Sequence, residues 1–219
     1  MTKKEEWLAG TRSAVPIMLG YVPVGIAYGV MARQAGLNTW QTVLMSLTVY
    51  GGASEMMAAG MVAQGAAVLT IVLTTFILNL RHIIMSTCVF NQMQGGRLPV
   101  RMLAAFGVTD ETFAVYTTTA NAPRTPRYFF SMAFCSYLSW ALGSWLGAIA
   151  TGLLPPLITA ALGISLYAMF IGLLMPGLHG NGRLAALVVL TALCNTVLCN
   201  VVQLDSGWSM ILSTLGCAA

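Results

Sequence analysis

Glu55, Arg81, His82, Asp110 and Glu111 each lie inside an apolar stretch long enough to cross a bilayer. An ionised side chain in hydrocarbon costs roughly 2.5 to 3.5 kcal/mol on insertion scales, so a chain with few charges is not expected to keep these without a use. Together they offer the chemistry of zwitterion recognition: donors for a carboxylate, acceptors for an ammonium and apolar wall for the remainder. Asp110 or Glu111 would hold the ammonium. Arg81 would hold the carboxylate, or backbone N–H groups freed around Gly51, Gly52, Ala53 and Ser54 would do so, because the N-terminus of a broken helix carries partial positive charge. In the competing reading Arg81 is locked in an ion pair with Asp110 or Glu111 and serves as architecture or a gate. Glu55, His82 and the acid pair are also candidate proton carriers.

Two polar stripes accompany these residues. Thr75, Asn79, His82 and Ser86 recur at offsets of four, three and four, which puts them on one helix face. Thr109, Thr112, Tyr116 and Thr119 repeat the pattern beside Asp110 and Glu111. The stripes would face each other across a wet cavity. For the hydroxyls alone, hydrogen bonding between packed helices is the stronger reading.

The elements that must position these groups are membrane spans. The 219-residue chain is 58% hydrophobic and 7% charged, outside the range of a soluble domain of this size. Apolar segments cover 13–32, 40–63, 66–90, 100–120, 128–150, 157–176 and 184–204, followed by a tail over 206–219. An all-α, polytopic membrane helix bundle of about seven apolar segments follows, organised as one domain over residues 1–219. The run after Lys3 and Lys4 contains Pro16 and Pro23 and is followed by further spans, so it reads as a retained first span. Trp7, Trp40 and Trp208, and the group Tyr128, Phe129 and Phe130, lie near span ends, where amphipathic rings favour the headgroup level.

Orientation exposes a conflict. Lys3, Lys4 and Arg12 place the N-terminus in the cytoplasm, yet three unbroken crossings would put the Arg97 and Arg101 loop outside, against the positive-inside rule. Segment 40–63 resolves it if the helix-weakening Gly51–Ser54 run makes it dip and return. Segment 100–120, with Thr109, Asp110 and Glu111 at its middle, is the second candidate for a discontinuous helix. It would leave the Arg124 and Arg127 loop cytoplasmic as well. Irregular backbone at membrane depth is tolerated where it lines a cavity or is buried in protein.

Other features argue for scaffold. Gly25 with Gly29, and Gly143 with Gly147, form small-xxx-small patterns that let helices approach closely. His179 in its Gly-rich loop reads as interfacial. Cys88, Cys135, Cys194, Cys199 and Cys217 have no ligand spacing and read as small hydrophobes. Neither a metal site nor an enzyme motif is legible. No cofactor and no nucleic-acid partner are implied, since the net charge of +4 comes mostly from arginines in short connections. From Tyr128 onward only Arg183 and Asp205 are charged, so the second half reads as wall, partner surface or pocket.

The prolines of Pro16–Gly25, the run Tyr50–Glu55, the run Asn79–His82, the run Phe106–Phe113, Trp140 with Gly143 and Gly147, and Leu162–Pro176 resemble the AzlC family over nearly the whole chain. Its members are large subunits of bacterial branched-chain amino acid exporters. The resemblance implies a multi-pass protein of the bacterial inner membrane that exports valine, leucine, isoleucine or similar amino acids with a small AzlD-like membrane subunit. The family usually reads Gln where this chain has Glu55. Two other classes stay open on the residues alone: an ion channel, which needs a continuous polar path that the charge-poor second half disfavours, and a structural membrane subunit with no substrate site.

Overall fold

A computed structural model describes residues 2–119, 122–153 and 178–204, with scattered single residues between 155 and 175 and between 209 and 217. Most of the tail segment, Trp208, Asp205 and most of segment 157–176 lie outside the described residues. All described elements are helices. In chain order they are α1 (Lys3–Gln34), α2 (Thr39–Val49), α3 (Gly52–Ala63), α4 (Val68–Asn79), α5 (Arg81–Gln92), α6 (Leu98–Phe106), α7 (Asp110–Thr118), α8 (Pro126–Ala150) and α9 (Gly182–Asn200). Among the described residues, four stretches are long and apolar enough to span a membrane: α1, α4 with α5, α8 and α9. The chain divides into two compact units, Met1–Met169 and Phe170–Ala219. In the second, Asn181 caps α9 by accepting a hydrogen bond from the Leu184 N–H at 3.2 Å.

The axis of the first unit is the pair α1 and α8. Thr2 and Glu5 form a capping box that starts α1, and Thr125 with Pro126 starts α8. The helices run parallel: Trp7 and Ser13 meet Ser131 and Tyr128 at one end, while Gly25 and Gly29 meet Gly143, Ser144 and Gly147 further along. Both small-xxx-small patterns therefore face each other, and the backbones touch where a Cβ would otherwise stand.

Both suspect segments are broken. The first splits at Tyr50, which takes the left-handed conformation (φ 46°, ψ 50°), with Gly51 extended after it. The second splits over Gly107–Thr109, where Thr109 caps α7. Each piece is 9 to 12 residues long, which at helical rise spans about 14–18 Å, roughly half of a hydrocarbon core. Their contacts show that each pair turns back. Helix α2 begins near the C-terminal end of α1, where the Tyr28 hydroxyl donates to the Thr42 carbonyl, and reaches the middle of α8 at Tyr50 and Gly52. Helix α3 then leaves, and α4 returns to the same level, where Asn79 lies against Gly51. Helix α6 rises from the other end to bring Phe106 within 6.0 Å of the Tyr50 ring centroid, and α7 returns to Tyr116, packed on Tyr128. Two hairpins thus enter from opposite ends and meet at mid-height.

This path removes the charge conflict. The Gln94 N–H donates to the Arg124 carbonyl at 2.6 Å, and Glu6 pairs with Arg127 at 3.6 Å, so the N-terminus and the loops before α6 and α8 share one end. Lys3, Lys4, Arg12, Arg97, Arg101, Arg124 and Arg127, seven of the ten basic residues, belong to it. The positive-inside rule then predicts that this end is cytoplasmic. A single cysteine at exposed Gln94, in a chain freed of its other cysteines, should react with an impermeant maleimide only after the membrane is opened. Labelling of intact spheroplasts would refute the orientation.

One expectation changes. Tyr128 and Phe129 do not sit at a headgroup belt: both are buried within the protein, and the Tyr128 hydroxyl donates to Ser13. Proximity to a span end did not reveal that α1 covers that end of α8. The Thr75–Ser86 stripe runs through a one-residue interruption at Leu80, whose backbone stays right-handed helical (φ −55°, ψ −30°) while its N–H donates to Ile77 and its carbonyl accepts from Ile83, so α4 and α5 together form one spanning stretch.

Candidate functional site

The hairpin tips bring Gly51, Gly52, Ser54, Glu55, Thr109 and Glu111 toward the middle of the α1 and α8 pair. Glu55 is fully buried. Its carboxylate accepts from the Gly51 N–H at 2.9 Å and from the Trp140 indole N–H at 3.3 Å, and it lies beside the Ser46 hydroxyl. The Ser54 hydroxyl donates to the Gly51 carbonyl at 2.8 Å, and a Cβ at Gly52 would press on the Trp140 ring at 2.9 Å. Glycine at 52 is therefore required for the tip to lie flat on Trp140. Because Glu55 itself occupies the Gly51 N–H, that group is not open to a substrate carboxylate. The Asn79 side-chain oxygen, next to Gly51, is buried without a hydrogen-bond partner.

The second tip separates its two acids. Glu111 turns inward, where the Tyr21 hydroxyl donates to it at 2.6 Å and also lies 2.7 Å from the Thr109 hydroxyl. Asp110 turns the other way and pairs with Arg81 at 2.9 Å, their side chains 25% and 38% exposed. His82 adjoins this pair, within electrostatic reach of both Arg81 and Asp110. Thr109 and Thr112 are consumed in capping α7, each side chain bonded to the other's backbone N–H, and Thr112 also donates to the Gly107 carbonyl at 2.9 Å. The hydroxyls of Thr109 and Thr112 are thus engaged within the tip itself.

An aromatic cluster joins the tips. The Tyr21 ring lies edge-on to Trp140 at 5.4 Å and to Tyr50 at 6.4 Å, and all three side chains are buried. Tyr21, Tyr50 and Trp140 were absent from the sequence-derived site. Tyr21 in particular sits in an apolar run, flanked by Gly20 and Val22, with no charged residue in its own segment to mark it.

A family model described as "AzlC protein" matches residues 16–154. The chain belongs to the AzlC family. It is 32% identical over 188 residues to an uncharacterized membrane protein of Archaeoglobus fulgidus, covering 85% of this chain and 82% of that one. It is 31% identical over 179 residues to the inner membrane protein YgaZ of Escherichia coli, covering 77% and 72%. Identity to the branched-chain amino acid transport protein AzlC of Bacillus subtilis is 27% over 157 residues, covering 68% and 61%. No solved structure matches the chain.

In this AzlC-family fold the Arg81 and Asp110 pair ties the turn between α4 and α5 to the first residue of α7. Removing Arg81 leaves the Asp110 carboxylate at membrane depth without the guanidinium it pairs with, while removing both leaves neither charge there. Arg81→Ala should lower the yield of folded protein about tenfold, and combining it with Asp110→Asn should recover most of it. Equal yields of the double and the single variant, read by size-exclusion chromatography, would show that the contact does not stabilise the fold.

Proposed function

We propose that this protein is the large subunit of an exporter of branched-chain or other hydrophobic amino acids, working with a small AzlD-like membrane partner and coupled to protons. The observation that carries the reading is the meeting of two half-membrane hairpins at mid-height, each with a buried acid in the first turn of its returning helix. Transporters use such tips because backbone and side-chain polar groups can contact a solute there while remaining shielded from lipid. Similarity to the Bacillus subtilis protein named for branched-chain amino acid transport supports the substrate class. The family resemblance supports the partner.

Within this reading Glu55, Asn79 and Glu111 face the solute at the tips that Gly51, Gly52, Ser54 and Thr109 shape. The Arg81 and Asp110 pair, with His82 beside it, acts as a gate at the edge of the tips. Glu55 carries the proton. Counterflow in proteoliposomes, with and without the small subunit, tests the proposal using labelled leucine, valine, isoleucine, alanine and lysine. Accumulation of the branched-chain substrates and not of lysine is expected. Equal exchange of every solute, or of none with both subunits present, overturns it.

A further inference from the structure

The acids at the hairpin tips differ in what their partners can do with a proton. Asp110 faces the Arg81 guanidinium, which donates hydrogen bonds and accepts none, so that pairing suits an ionised carboxylate and nothing else. Glu111 instead meets hydroxyls. The Tyr21 hydroxyl donates to it at 2.6 Å and lies 2.7 Å from the Thr109 hydroxyl, which stands 3.3 Å from that of Thr112. Tyr21 belongs to α1, whereas the threonines belong to the break between α6 and α7. A hydroxyl both donates and accepts, so a row of them can point in either direction.

In the structure that direction is set. Tyr21 has a single hydroxyl proton and gives it to Glu111, so the 2.7 Å contact is filled by the proton of Thr109. Thr112 donates its own to the Gly107 carbonyl at 2.9 Å. The order is therefore Thr109 to Tyr21 to an ionised Glu111. When that Glu111 oxygen takes a proton, the hydroxyls turn: the acid donates to Tyr21, Tyr21 to Thr109, and Thr109 to Thr112 across the 3.3 Å contact. Thr109 and Thr112 still accept each other's backbone N–H, and neither exceeds the lone pairs of a hydroxyl. No donor loses its acceptor, and no helix has to move. Tyr21, Thr109 and Thr112 are at most 5% exposed, so an abandoned partner could not turn to solvent instead, while Glu111 at 9% keeps an edge by which a proton can come and go.

We propose that Glu111 is a proton-binding site of the second hairpin, separate from Glu55, and that Tyr21 is the positioning residue that lets it hold or release the proton without rearranging the tip. The proton comes from the aqueous phase and returns to it, and no bond other than O–H forms or breaks. Use of the site in transport rests on the functional reading above, whereas proton binding itself does not. Among the described residues, the other ionisable groups within electrostatic reach of Glu111 are Tyr50, ahead of α3, and Asp110, beside it on α7 and matched by Arg81.

Difference infrared spectroscopy of the purified full-length protein, between roughly pH 5.5 and 8.5, follows the C=O stretch that only a protonated carboxyl shows. The wild type should lose such a band as the pH rises, Glu111→Gln should lack it, and Glu55→Gln should keep it. Tyr21→Phe leaves the ring against Trp140 and Tyr50 and removes only the oxygen. It should move the band to another frequency, because the acid has lost the oxygen it donates to, and displace its midpoint by about one pH unit, a tenfold change in proton affinity. A second measurement needs no variant. In wild-type protein carrying ring-labelled tyrosine, the labelled C–O stretch should change at the same midpoint as the carboxyl band, as the hydroxyl turns from donor to acceptor.

A band that persists in Glu111→Gln, or wild-type protein with no such band, overturns the site. A Tyr21→Phe spectrum with the wild-type frequency and midpoint, or a tyrosine C–O stretch that stays constant through the titration, makes Tyr21 a strut and overturns its role. Counterflow separates the two readings. Transport by protein in which Glu111 does not titrate removes this site and leaves the transport reading standing. A titrating Glu111 in protein that carries no solute supports the site and overturns its use in transport.

Discussion

Glu55→Ala is expected to abolish transport and to destabilise the protein. The substitution strips the acceptor from two buried donors, the Gly51 N–H and the Trp140 indole N–H. Each unsatisfied donor costs about 1–3 kcal/mol, and the first of them holds the α2 and α3 junction closed. Glu55→Gln should behave differently. Its carbonyl oxygen can take the place of the carboxylate oxygen that accepts from both donors, and its amide can donate toward Ser46. The fold should therefore persist, with leucine affinity reduced and not lost.

What the amide removes is the ability to exchange a proton. Counterflow by Glu55→Gln should lose most of its variation across roughly pH 5.5 to 8.5, the interval where a general acid or base works near neutrality. Superimposable pH profiles for the wild type and Glu55→Gln would leave Glu55 a hydrogen-bonding residue of the hairpin tip with no part in coupling. The alanine variant, compared by its thermal midpoint, reports the structural share separately.

Gly147→Leu should prevent folding, and Gly147→Ala should cost at least the upper end of the roughly 1–3 kcal/mol typical of overpacking. A Cβ at position 147 runs into the backbone of Ile26, and one at Gly29 runs into the backbone of Ser144 and Gly147. Backbone has no rotamer by which to yield, so the parallel helices would have to separate along their length. That separation would also pull Trp140 away from Glu55 and Tyr21. Gly60 provides the contrast, since a Cβ there meets nothing within 4 Å. Gly60→Ala should leave the thermal midpoint unchanged or slightly raised. If Gly147→Ala unfolded no earlier than Gly60→Ala, close approach of α1 and α8 would not be what holds the unit together.

Much of the architecture is legible in the sequence. Gly51–Ser54 and Thr109–Glu111 interrupt apolar runs with residues that weaken or cap helices, and the basic loops demanded that those segments turn back. Both breaks are where local backbone preference and charge bookkeeping put them. The pairing of Arg81 with Asp110 was one of the alternatives that cost alone had raised, because a guanidinium at depth needs compensation. Spacing alone marks the small-xxx-small glycines as packing residues, although it does not say what they touch.

The rest required the tertiary structure. Adjacent residues Asp110 and Glu111 look alike in sequence, yet about 100° of helical rotation per residue sends one to Arg81 and the other to Tyr21. Tyr128 and Phe129 resembled an interfacial belt until α1 was seen to cover them. Tyr21, Tyr50 and Trp140 are distant in the chain, and only the meeting of two hairpins against α1 and α8 makes them one cluster. Composition, helix breaks and loop charges are local quantities, so the sequence by itself determined a membrane bundle with two interrupted helices and the residues costly enough to matter. Which of those residues face one another depends on helix rotation and on contacts between segments tens of residues apart, and tertiary packing alone decided it.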